Sequence, residues 1–383
     1  MPQIPGPASS ESRRTVLRVI VISQLVLALV TGVSVAVLYN RLDRNLSTLP
    51  SVPEGVERPD EPSASGASGP LNILVIGSDD RSGANAIDEE AGSLGADMTM
   101  LLHVSGDRKD AYGISLPRDA MVARPECVRD DGPAQPARSP AMFNEALTVG
   151  GASCMVQMVE SLTDVRIHHT VLVDFNGFVD MVDAVGGVEV CIPTEVNDPE
   201  HDIFLSAGTQ VLKGDLALDY VRERYQLSVT GDLGRMKRNQ AFIASLINKV
   251  FSSGTLTRPD QLYGFLSAAT ASLHLDEGLA SLSSLVSLAL EFRETGLDDI
   301  RFITVPIEDY PPNPNRLQWA PDAADLWDRI RHDRPLGARF ESDSISAQRP
   351  PGRREPTPGD TAHPSRESNP AQGSSRATGL CDG

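Results

Sequence analysis

Four arginines lie close together between residues 218 and 240, and they are the residues best suited to chemistry on an anion. The alternation of side chains over residues 218–224 predicts a strand that places Arg222 and Arg224 on one face. Arg235 and Arg238 are three residues apart, which puts them on neighbouring positions of a helix. Because four positive charges held together repel one another, we expect a polyanion as their partner, and arginine matches the geometry of phosphate.

The second pair of arginines belongs to a predicted helix that begins at Asp232 and continues to Phe251. Asp232 is a favourable N-cap residue, and apolar residues follow at helical spacing. Asn239 lies on the same face as Arg235, close to the positive N-terminal end of this helix. The end of the predicted strand and the start of this helix should therefore converge across one short loop.

A predicted buried strand from Leu71 to Ile76 ends in Gly-Ser-Asp-Asp-Arg. In open α/β sheets, ligands bind beyond the carboxyl ends of the strands. Asp79 could bind a hard cation there and Arg81 a phosphate, with a surface turn as the alternative interpretation. The sequence has neither a Walker loop nor a G-x-G-x-x-G motif, so nucleotide binding of those kinds is not predicted.

Two more charged residues stand at predicted strand boundaries. Asp97 precedes the strand at residues 98–104, and Arg118 follows a proline at the end of the strand at residues 111–116. The locked φ of proline suits Arg118 to a fixed phosphate contact. With Asp79, these residues have the composition of a site for pyrophosphate and Mg²⁺ (or Mn²⁺), because such cations bind one or two carboxylates together with phosphate oxygens.

The overall charge of the chain is strongly negative. Its 383 residues include 34 Lys and Arg against 52 Asp and Glu, which gives a formal net charge of −18. A general nucleic-acid binder needs a basic surface, so nucleic acid is not an expected partner. The arginines are instead a local positive site that suits one specific anion.

Residues 19–39 form an uncharged, mostly apolar stretch, long enough to span a bilayer as a helix. Arginines precede it within residues 1–18, which predicts a cytoplasmic N-terminus and an extracytoplasmic remainder. A cleaved signal peptide is the alternative, but the apolar run is longer than a typical signal core and favours an uncleaved anchor. Residues 40–70, rich in Pro, Ser, Gly and Glu, predict a flexible linker that spaces the rest of the chain from the membrane.

The remaining chain predicts an α/β fold, a layered αβα domain with a central mixed β-sheet, because strand patterns alternate with helical ones. Residues 71–253 carry this pattern and form the main domain. Residues 254–338 contain three amphipathic helices and one strand, and we expect them to pack on the same sheet as a helical extension. Residues 339–383 have a composition typical of disorder.

Four cysteines are compatible with an extracytoplasmic location. Cys127 and Cys154 flank a loop rich in Pro, Gly and Asp that a disulfide would stabilise, with two unpaired thiols as the alternative. Cys191 lies in a strand pattern and is expected to be buried. Cys381 lies in the predicted disordered tail and could be free. The spacing of the cysteines does not predict a structural zinc site.

Several short motifs follow one another between Leu71 and Val250. They are Gly77-x-Asp79-x-Arg81, Ala96-Asp97 before a Met-rich strand, Ser115-Leu-Pro-Arg118-Asp119, Phe143-Asn-Glu-Ala146 with Gly150-Gly151, Val173-Asp-Phe-x-Gly177-Phe178, Val182-Asp-Ala-Val-Gly186-Gly187-Val188, Tyr220-x-Arg222-x-Arg224 and Asp232-x-x-Arg235-x-x-Arg238. In this succession the chain resembles the LytR–CpsA–Psr family, and its composition and Cys127/Cys154 pair resemble actinobacterial members.

The resemblance implies a membrane-anchored extracytoplasmic phosphotransferase, with residues 71–253 as the catalytic domain. Such enzymes move a glycopolymer from a polyprenyl-pyrophosphate carrier onto peptidoglycan. The resemblance also implies a hydrophobic tunnel for the polyprenyl chain. By position it assigns the metal to Asp79 and Asp97, the pyrophosphate to a set of arginines with Asn239, and a possible general base to Asp232. The arginines are Arg81, Arg118, Arg222, Arg224, Arg235 and Arg238.

The chain departs from the family pattern at two points. Gly95-Ala96 stands where many members have Arg-Ser or Arg-Thr, and Asn239 stands where many have Gln. Two other functions therefore remain open: a polyprenyl-pyrophosphate phosphatase, and a non-catalytic envelope binding or regulatory protein. Arginines paired with internal carboxylates would favour the binding protein.

Overall fold

The computed structural model describes residues 10–61, 69–79, 95–129, 132–223, 226–227, 231–252, 258–292, 295–351 and 380–381. At residues 10–14, 16, 79 and 252 it describes the backbone alone. The chain divides into two units, residues 1–45 and residues 46–383.

The first unit contains one long helix, α1 (Ser10–Asp43). Its stretch from Leu17 to Asp43 has a mean hydropathy of 2.4 over its most apolar window and is long enough to cross a membrane. The helix predicted for residues 19–39 is confirmed, and it extends beyond both predicted ends.

The second unit is built on a mixed sheet of eight strands in the order β1-β12-β7-β2-β3-β4-β13-β16. Parallel pairs occur at β1/β12, β7/β2 and β4/β13, and the other neighbours are antiparallel. The strands are β1 (Ser47–Thr48), β2 (Leu71–Asp79), β3 (Gly95–Val104), β4 (Ala111–Leu116), β7 (His169–Asp174), β12 (Leu273–Leu275), β13 (Ile300–Thr304) and β16 (Ile345–Ser346). The predicted mixed central sheet is confirmed.

Among the residues that the structure describes, four antiparallel pairs lie outside the central sheet. Their strands are β5 (Met121–Arg124) with β6 (Arg138–Met142), β8 (Val188–Ile192) with β11 (Gly208–Leu212), β9 (Val196–Asp198) with β10 (Ile203–Leu205), and β14 (Ile307–Asp309) with β15 (Leu317–Trp319). The helices of this unit are α2 (Glu145–Thr163), α3 (Phe175–Ala184), α4 (Gly214–Arg222), α5 (Asp232–Ser252), α6 (Pro259–Ser272), α7 (Leu282–Phe292), α8 (Ala323–Arg331) and α9 (Ala338–Glu341).

Helices cover the sheet on both faces, which explains its continuous apolar runs. One core cluster packs Leu74 and Leu101 of the sheet with residues of α2 and α8. Another packs Met100 and Phe302 with Ala244 of α5. Every residue of β4 is buried, as expected for a strand enclosed on both faces. The layered αβα arrangement follows from these two packed faces.

The strand predicted for residues 218–224 is wrong: residues 214–222 form helix α4. Ala217, Leu218 and Tyr220 are buried, and the Tyr220 ring packs 6.1 Å from that of Phe242 in α5. Ala217 and Tyr220 are three residues apart and share one helical face, so their burial favours a helix over the short alternation that suggested a strand. The helix ends at Arg222, and the backbone of the C-cap residue Glu223 leaves the helical region, with φ −57° and ψ 136°.

Within the linker predicted as flexible over residues 40–70, residues 47–61 belong to the second unit and pack against the rest of it. β1 pairs with β12, and Leu49 and Val52 pack on the core. Arg58 donates two hydrogen bonds to Glu160, at 2.9 and 2.6 Å, and one to the Ile167 carbonyl oxygen at 2.7 Å. We call residues 47–61 the strap. Its mostly polar composition concealed this contact, because the Arg58–Glu160 ion pair contributes to it alongside only a few apolar side chains.

The segment predicted as a helical extension also completes the central sheet. β12 and β13 come from it, and β13 pairs with β4 in parallel. The disordered tail predicted from residue 339 is wrong at its start, since α9 and β16 lie within residues 338–346 and β16 pairs with β13. Residues 352–379 lie outside the described residues.

Both cysteine pairs form disulfides. Cys127 and Cys154 are bridged, which confirms that prediction. Cys191 is bridged to Cys381 across 190 residues of sequence, so the expectation of a free Cys381 is wrong. The second bridge attaches the end of the chain to β8, a pairing that no local pattern could indicate.

Candidate functional site

The predicted site residues gather at one edge of the central sheet. The carboxyl ends of the parallel strands β2 and β7 meet there, with Ser78 beside Asp174. The start of the antiparallel strand β3 reaches the same edge, since Ala96 pairs with Ser78. The end of β4 follows, because Leu116 pairs with Thr99 of β3. Segments far apart in sequence are thus brought to the kind of edge where α/β proteins bind ligands.

A bulge in β3 positions Asp97. Gly77 pairs with Met98 and Ser78 with Ala96, so Asp97 is the extra residue on β3. A bulge changes the direction in which its side chain points and is typical of sites beside a sheet edge. The sequence predicted Asp97 but not the bulge.

The site residues enclose a small cavity of about 20 Å³. Its lining includes five residues that we describe as the acidic–arginine cluster: Asp97, Arg118, Asp119, Asp232 and Arg235. Asn239, Thr99 and Leu317 also line it. A cavity of this size holds about one water molecule.

Helix α5 supplies Asp232 from its first residue and Arg235 and Asn239 from the following turns. Gln240, which is fully buried, fixes this helix to the sheet. Its amide nitrogen donates to Ser115 Oγ at 2.9 Å, to the Ile303 carbonyl oxygen at 2.9 Å and to Thr304 Oγ1 at 3.0 Å. Arg235 and Asn239 are therefore held by a polar clamp as well as by packing.

Ion pairs connect the members of the acidic–arginine cluster. Arg118 pairs closely with Asp97, at 3.7 Å with Asp119 and at 4.0 Å with Asp232. Arg235 lies 3.1 Å from Asp232 and 3.6 Å from Asp97. These are the internal arginine–carboxylate pairs that the sequence analysis associates with a binding protein. The carboxylate side chains are 16–30% exposed, so water reaches the pairs and a competing anion can exchange with them.

The carboxyl group of Asp119 lies against that of Asp232. Burial raises the pKa of Asp119, and the hydrogen bond with Asp232 raises it further, although Arg118 and Arg316 oppose the shift. Two carboxyl groups in contact hold one proton between them over part of the pH range. The pair can therefore accept or release a proton inside the cavity.

The oxygen atoms at this edge match the preference of a hard divalent cation. Thr99 Oγ1 is buried in the cavity wall and has no hydrogen-bond partner among the described residues, and Asp97 lines the same cavity. Carboxylate and hydroxyl oxygens are ligands of the kind that Mg²⁺ prefers. The described side chains contain no group of three or more His, Cys, Asp or Glu arranged around a metal. Asp79, the other predicted ligand, lies in β2, but its side chain is outside the described residues.

Among the described residues, two of the six predicted arginines line the cavity, Arg118 and Arg235. Arg222, at the end of α4, places its guanidinium 5.0 Å from the centre of the Phe175 ring. Phe175 follows directly after β7, so this contact keeps Arg222 near the same sheet edge. Arg81 and Arg224 lie outside the described residues.

Arg238 is fully buried beside Glu223 rather than in the cavity wall. Its guanidinium donates to the Glu223 carbonyl oxygen and lies 3.4 Å from the carboxylate. Burial lowers the pKa of Arg238 from its ordinary value, while Tyr220 and Glu223 act in the opposite direction. Its Nε and Nη1 have no hydrogen-bond partner among the described residues. The predicted contact of Arg238 with pyrophosphate stays a prediction.

Residues 51–327 match the LytR_cpsA_psr family, a match that covers both the sheet edge and the helix that carries Asp232 and Arg235. The chain belongs to the LytR_cpsA_psr family. The resemblance seen in the motifs is thereby confirmed, and it extends from the strap to α8.

Two curated relatives of this LytR_cpsA_psr chain have names that describe their roles. The cell wall biosynthesis protein LcpA of Corynebacterium glutamicum is 33% identical over 273 residues, 63% of this chain and 51% of that protein. The polyisoprenyl-teichoic acid–peptidoglycan teichoic acid transferase TagU of Enterococcus faecalis is 28% identical over 224 residues, 58% of this chain and 66% of the relative. The chain thus spans about half to two thirds of these relatives.

The fold of the family is also found in solved structures. The LytR-Csp2A-Psr enzyme from Actinomyces oris matches with a TM-score of 0.53 and 19% identity, over 74% of this chain and 95% of that one. At this level of identity the match concerns the fold alone.

Four residues at the site have no role predicted from the sequence. Asp119 and Thr99 line the cavity, Gln240 fixes α5 to the sheet, and Arg316 lies 3.3 Å from Asp119. Asp119 directly follows Arg118 and could have been inferred from that position. Gln240 could not, because its partners in β4 and β13 are far away in the sequence.

Proposed function

We propose that the chain transfers a glycopolymer from a polyprenyl-pyrophosphate carrier onto peptidoglycan. The observation that carries the proposal is the acidic–arginine cluster, where Arg118 and Arg235 stand beside a carboxyl pair at the sheet edge. The transferase named among the relatives, which acts on polyisoprenyl-linked teichoic acid and peptidoglycan, supports it at the level of the family.

The reaction that suits this cluster is an in-line displacement at phosphorus. An acceptor hydroxyl would attack the phosphorus on the sugar side, forming a P–O bond as the bond to the bridging oxygen breaks. The bridging oxygen leaves on polyprenyl phosphate, and the hydroxyl proton passes to Asp232, which shares the cavity with Asp119. Arg118 and Arg235 would stabilise the developing charge, a task of positioning and electrostatics.

The charge balance of the cluster calls for one more positive group. Three guanidinium groups, those of Arg118, Arg235 and the adjacent Arg316, face the carboxyl groups of Asp97, Asp119 and Asp232. The charges therefore balance when all are ionised, with no surplus of positive charge for a pyrophosphate. Mg²⁺ or Mn²⁺, held by Asp97 with the predicted ligand Asp79, would supply it by neutralising pyrophosphate oxygens. The predicted phosphate contacts of Arg81, Arg222, Arg224 and Asn239 would add to the same effect.

The arginine–carboxylate pairs favour one alternative, a non-catalytic binding or regulatory protein of the envelope. Arg118 and Arg235 already have internal partners, and a ligand must displace Asp97 or Asp232 from them. The two functions differ in product, since a binding protein retains the donor unchanged.

Membrane anchoring through α1 is part of the proposal, with the N-terminus in the cytoplasm and residues 46–383 outside. α1 is long and apolar enough for this role. Two disulfides support the orientation, because such bonds persist in oxidising compartments.

The decisive experiment incubates the purified full chain with a polyprenyl-pyrophosphate-linked sugar, Mg²⁺ and peptidoglycan fragments. Transfer yields a phosphodiester-linked sugar on peptidoglycan; a phosphatase would release a free sugar phosphate, and a binding protein would leave the donor intact. We expect transfer, and we expect Arg235→Ala to reduce it by about 10²–10³-fold, as for loss of a donor to a charged transition state.

Lys237→Ala is the matched control for Arg235→Ala. Lys237 is a cation on the same helix, and it pairs with Asp343 rather than with the cluster. Transfer by the Arg235→Ala protein at the rate of the Lys237→Ala protein would reject the assignment of the site.

A further inference from the structure

A second hollow, of about 470 Å³, lies beside the acidic–arginine cluster. One wall comes from the β5–β6 pair and the start of α2, and the other from the turn of the β14–β15 hairpin. We call it the hairpin hollow. Among its lining residues are Arg138, Met142, Glu145, Tyr310, Asn313 and Arg316.

The turn of the β14–β15 hairpin is held in one conformation by its own backbone. Tyr310 N donates to the Arg316 carbonyl oxygen, Asn313 N to that of Tyr310, and Arg316 N to that of Asn313, each at 2.9 Å. Three prolines lie within residues 311–315, and all five of these residues are exposed. The turn is therefore ordered by its hydrogen bonds and prolines rather than by burial. Tyr310, Asn313 and Arg316 line the hollow as a preorganised surface.

Arg316 connects the hairpin hollow to the candidate site. Its Nη1 lies 3.3 Å from Asp119 Oδ1, and Asp119 lines the smaller cavity. The next residue, Leu317, lines that cavity as well and pairs with Ala120. A molecule in the hollow would thus have one end beside the Asp119–Asp232 carboxyl pair.

The groups around the hollow suit a saccharide. Tyr310 offers a ring face and a hydroxyl, Asn313 an amide, and Arg138 and Glu145 form a part-exposed ion pair at 2.8 Å. A few convergent polar groups with an aromatic ring in an open hollow can bind the apolar faces and hydroxyl groups of a sugar together.

We infer that the hairpin hollow binds the acceptor saccharide, a sugar unit of a peptidoglycan glycan strand, with its reacting hydroxyl toward Asp119. This inference rests on the proposed transferase function. The hollow suits the acceptor rather than the donor because it meets the cluster at the Asp119–Asp232 carboxyl pair, where the attacking hydroxyl must lose its proton. Arg118 and Arg235 are then left to bind the pyrophosphate of the donor.

The test measures binding separately from transfer. A soluble, peptide-free tetrasaccharide of alternating N-acetylglucosamine and N-acetylmuramic acid is titrated calorimetrically into the full chain in detergent, without donor. We expect Tyr310→Ala to weaken this binding about tenfold, equivalent to about 1.4 kcal/mol. In the transfer assay the same variant should raise the KM for the acceptor about tenfold and leave the KM for the lipid-linked donor unchanged.

Asn315→Ala is the matched control, since Asn315 is exposed on the same turn and does not line the hollow. Three results would overturn the inference: no binding of the tetrasaccharide, equal binding by the Tyr310→Ala and Asn315→Ala proteins, or a rise in the donor KM instead of the acceptor KM. Failure of transfer by the unmodified chain would reject the proposed function, whereas the titration would still decide whether the hollow binds a saccharide.

Discussion

Two arginines on the same helix have different surroundings, and their replacement should have different consequences. Arg235 faces the cavity and the carboxylates of Asp97 and Asp232. Arg238, three residues later, is fully buried against Glu223, which is itself buried. The first position suits a group that exchanges partners with a ligand, and the second suits a fixed internal ion pair.

We expect Arg238→Met to destabilise the fold by about 3–5 kcal/mol, because it leaves the buried Glu223 without its charged partner. Thermal unfolding of the full chain measures this, with Arg235→Ala as the comparison. A normal melting temperature for the Arg238→Met protein, combined with loss of donor binding, would instead make Arg238 a pyrophosphate ligand.

Residue types and motif positions were enough to predict four of the five charged residues in the cavity lining. Asp97, Arg118, Asp232, Arg235 and Asn239 were all named from the sequence, and they come together in the structure. The motif favours Arg235 over Arg238 as a site residue, but it does not predict that Arg238 is fully buried, because a charge in a motif carries no information about burial.

At the scale of elements, the strap is the feature that composition concealed. Arg58 is 22% exposed and Glu160 is 3% exposed, so their ion pair is largely removed from water. Glu160 also accepts a hydrogen bond from Ile167 N at 2.8 Å. The strap thereby covers a carboxylate that would otherwise be buried without a cation.

Arg58→Ala should lower the free energy of unfolding by about 3 kcal/mol, since it leaves Glu160 as an unpaired buried charge. Denaturant unfolding measures the loss. Arg166→Ala is the control: Arg166 pairs with Glu61, which is 66% exposed, and such a surface pair contributes at most about 1 kcal/mol. Equal effects of the two substitutions would mean that the strap is not held by Arg58.

Helix α4 carries a carboxyl group that opposes folding at neutral pH. Burial raises the pKa of Asp219 to about 6, with further contributions from Asp215 and Asp202 and an opposing one from Arg222. A raised folded-state pKa means that the folded chain binds the proton of Asp219 more tightly than the unfolded chain does. The stability that this proton contributes is complete below the ordinary pKa of 3.8 and is lost as the pH rises through about 6.

Asp219→Asn should therefore stabilise the chain at pH 7 by about 1 kcal/mol, a figure reduced from the full shift because the carboxyl is partly solvated. The gain should disappear at pH 4. Melting temperatures of both proteins across this range measure it, and Asp180→Asn, an exposed position on α3, is the control. A gain that is equal at pH 4 and pH 7 would contradict the assignment.

Elements whose local pattern agrees with their packing were predictable, and α4 was not. β4 has the predicted bounds, residues 111–116, since its apolar run agrees with its burial on both faces. α4 was predicted as a strand because few residues were available to distinguish period 2 from period 3.6. Its packing on α5 is a tertiary contact, which overrides local preference.

For the whole molecule, the central sheet joins segments from both ends of the second unit. β1 begins at residue 47 and β16 ends at residue 346, and both are edge strands of the same sheet. The sequence predicted the layered fold but assigned these edge strands to a linker and a tail. Strands of two residues have no recognisable period, and only their pairing defines them.

Replacing Cys191 and Cys381 with Ser should destabilise the chain more than replacing Cys127 and Cys154. Chain entropy in the unfolded state predicts a difference of roughly 2 kcal/mol, since the bridges span 190 and 27 residues. Denaturant unfolding of the two double variants measures it. A larger loss for the Cys127/Cys154 variant would mean that packing of those fully buried cysteines outweighs loop entropy.

The Cys191–Cys381 bridge also closes the second half of the chain into a covalent ring. A protease that cuts once between these two cysteines leaves both fragments attached to each other, and they separate on a gel only after reduction. A single cut anywhere in residues 352–379 would thus release no peptide under oxidising conditions. An affinity tag fused after Gly383 would stay attached to β8 after such a cut, so its recovery would not report an uncut chain.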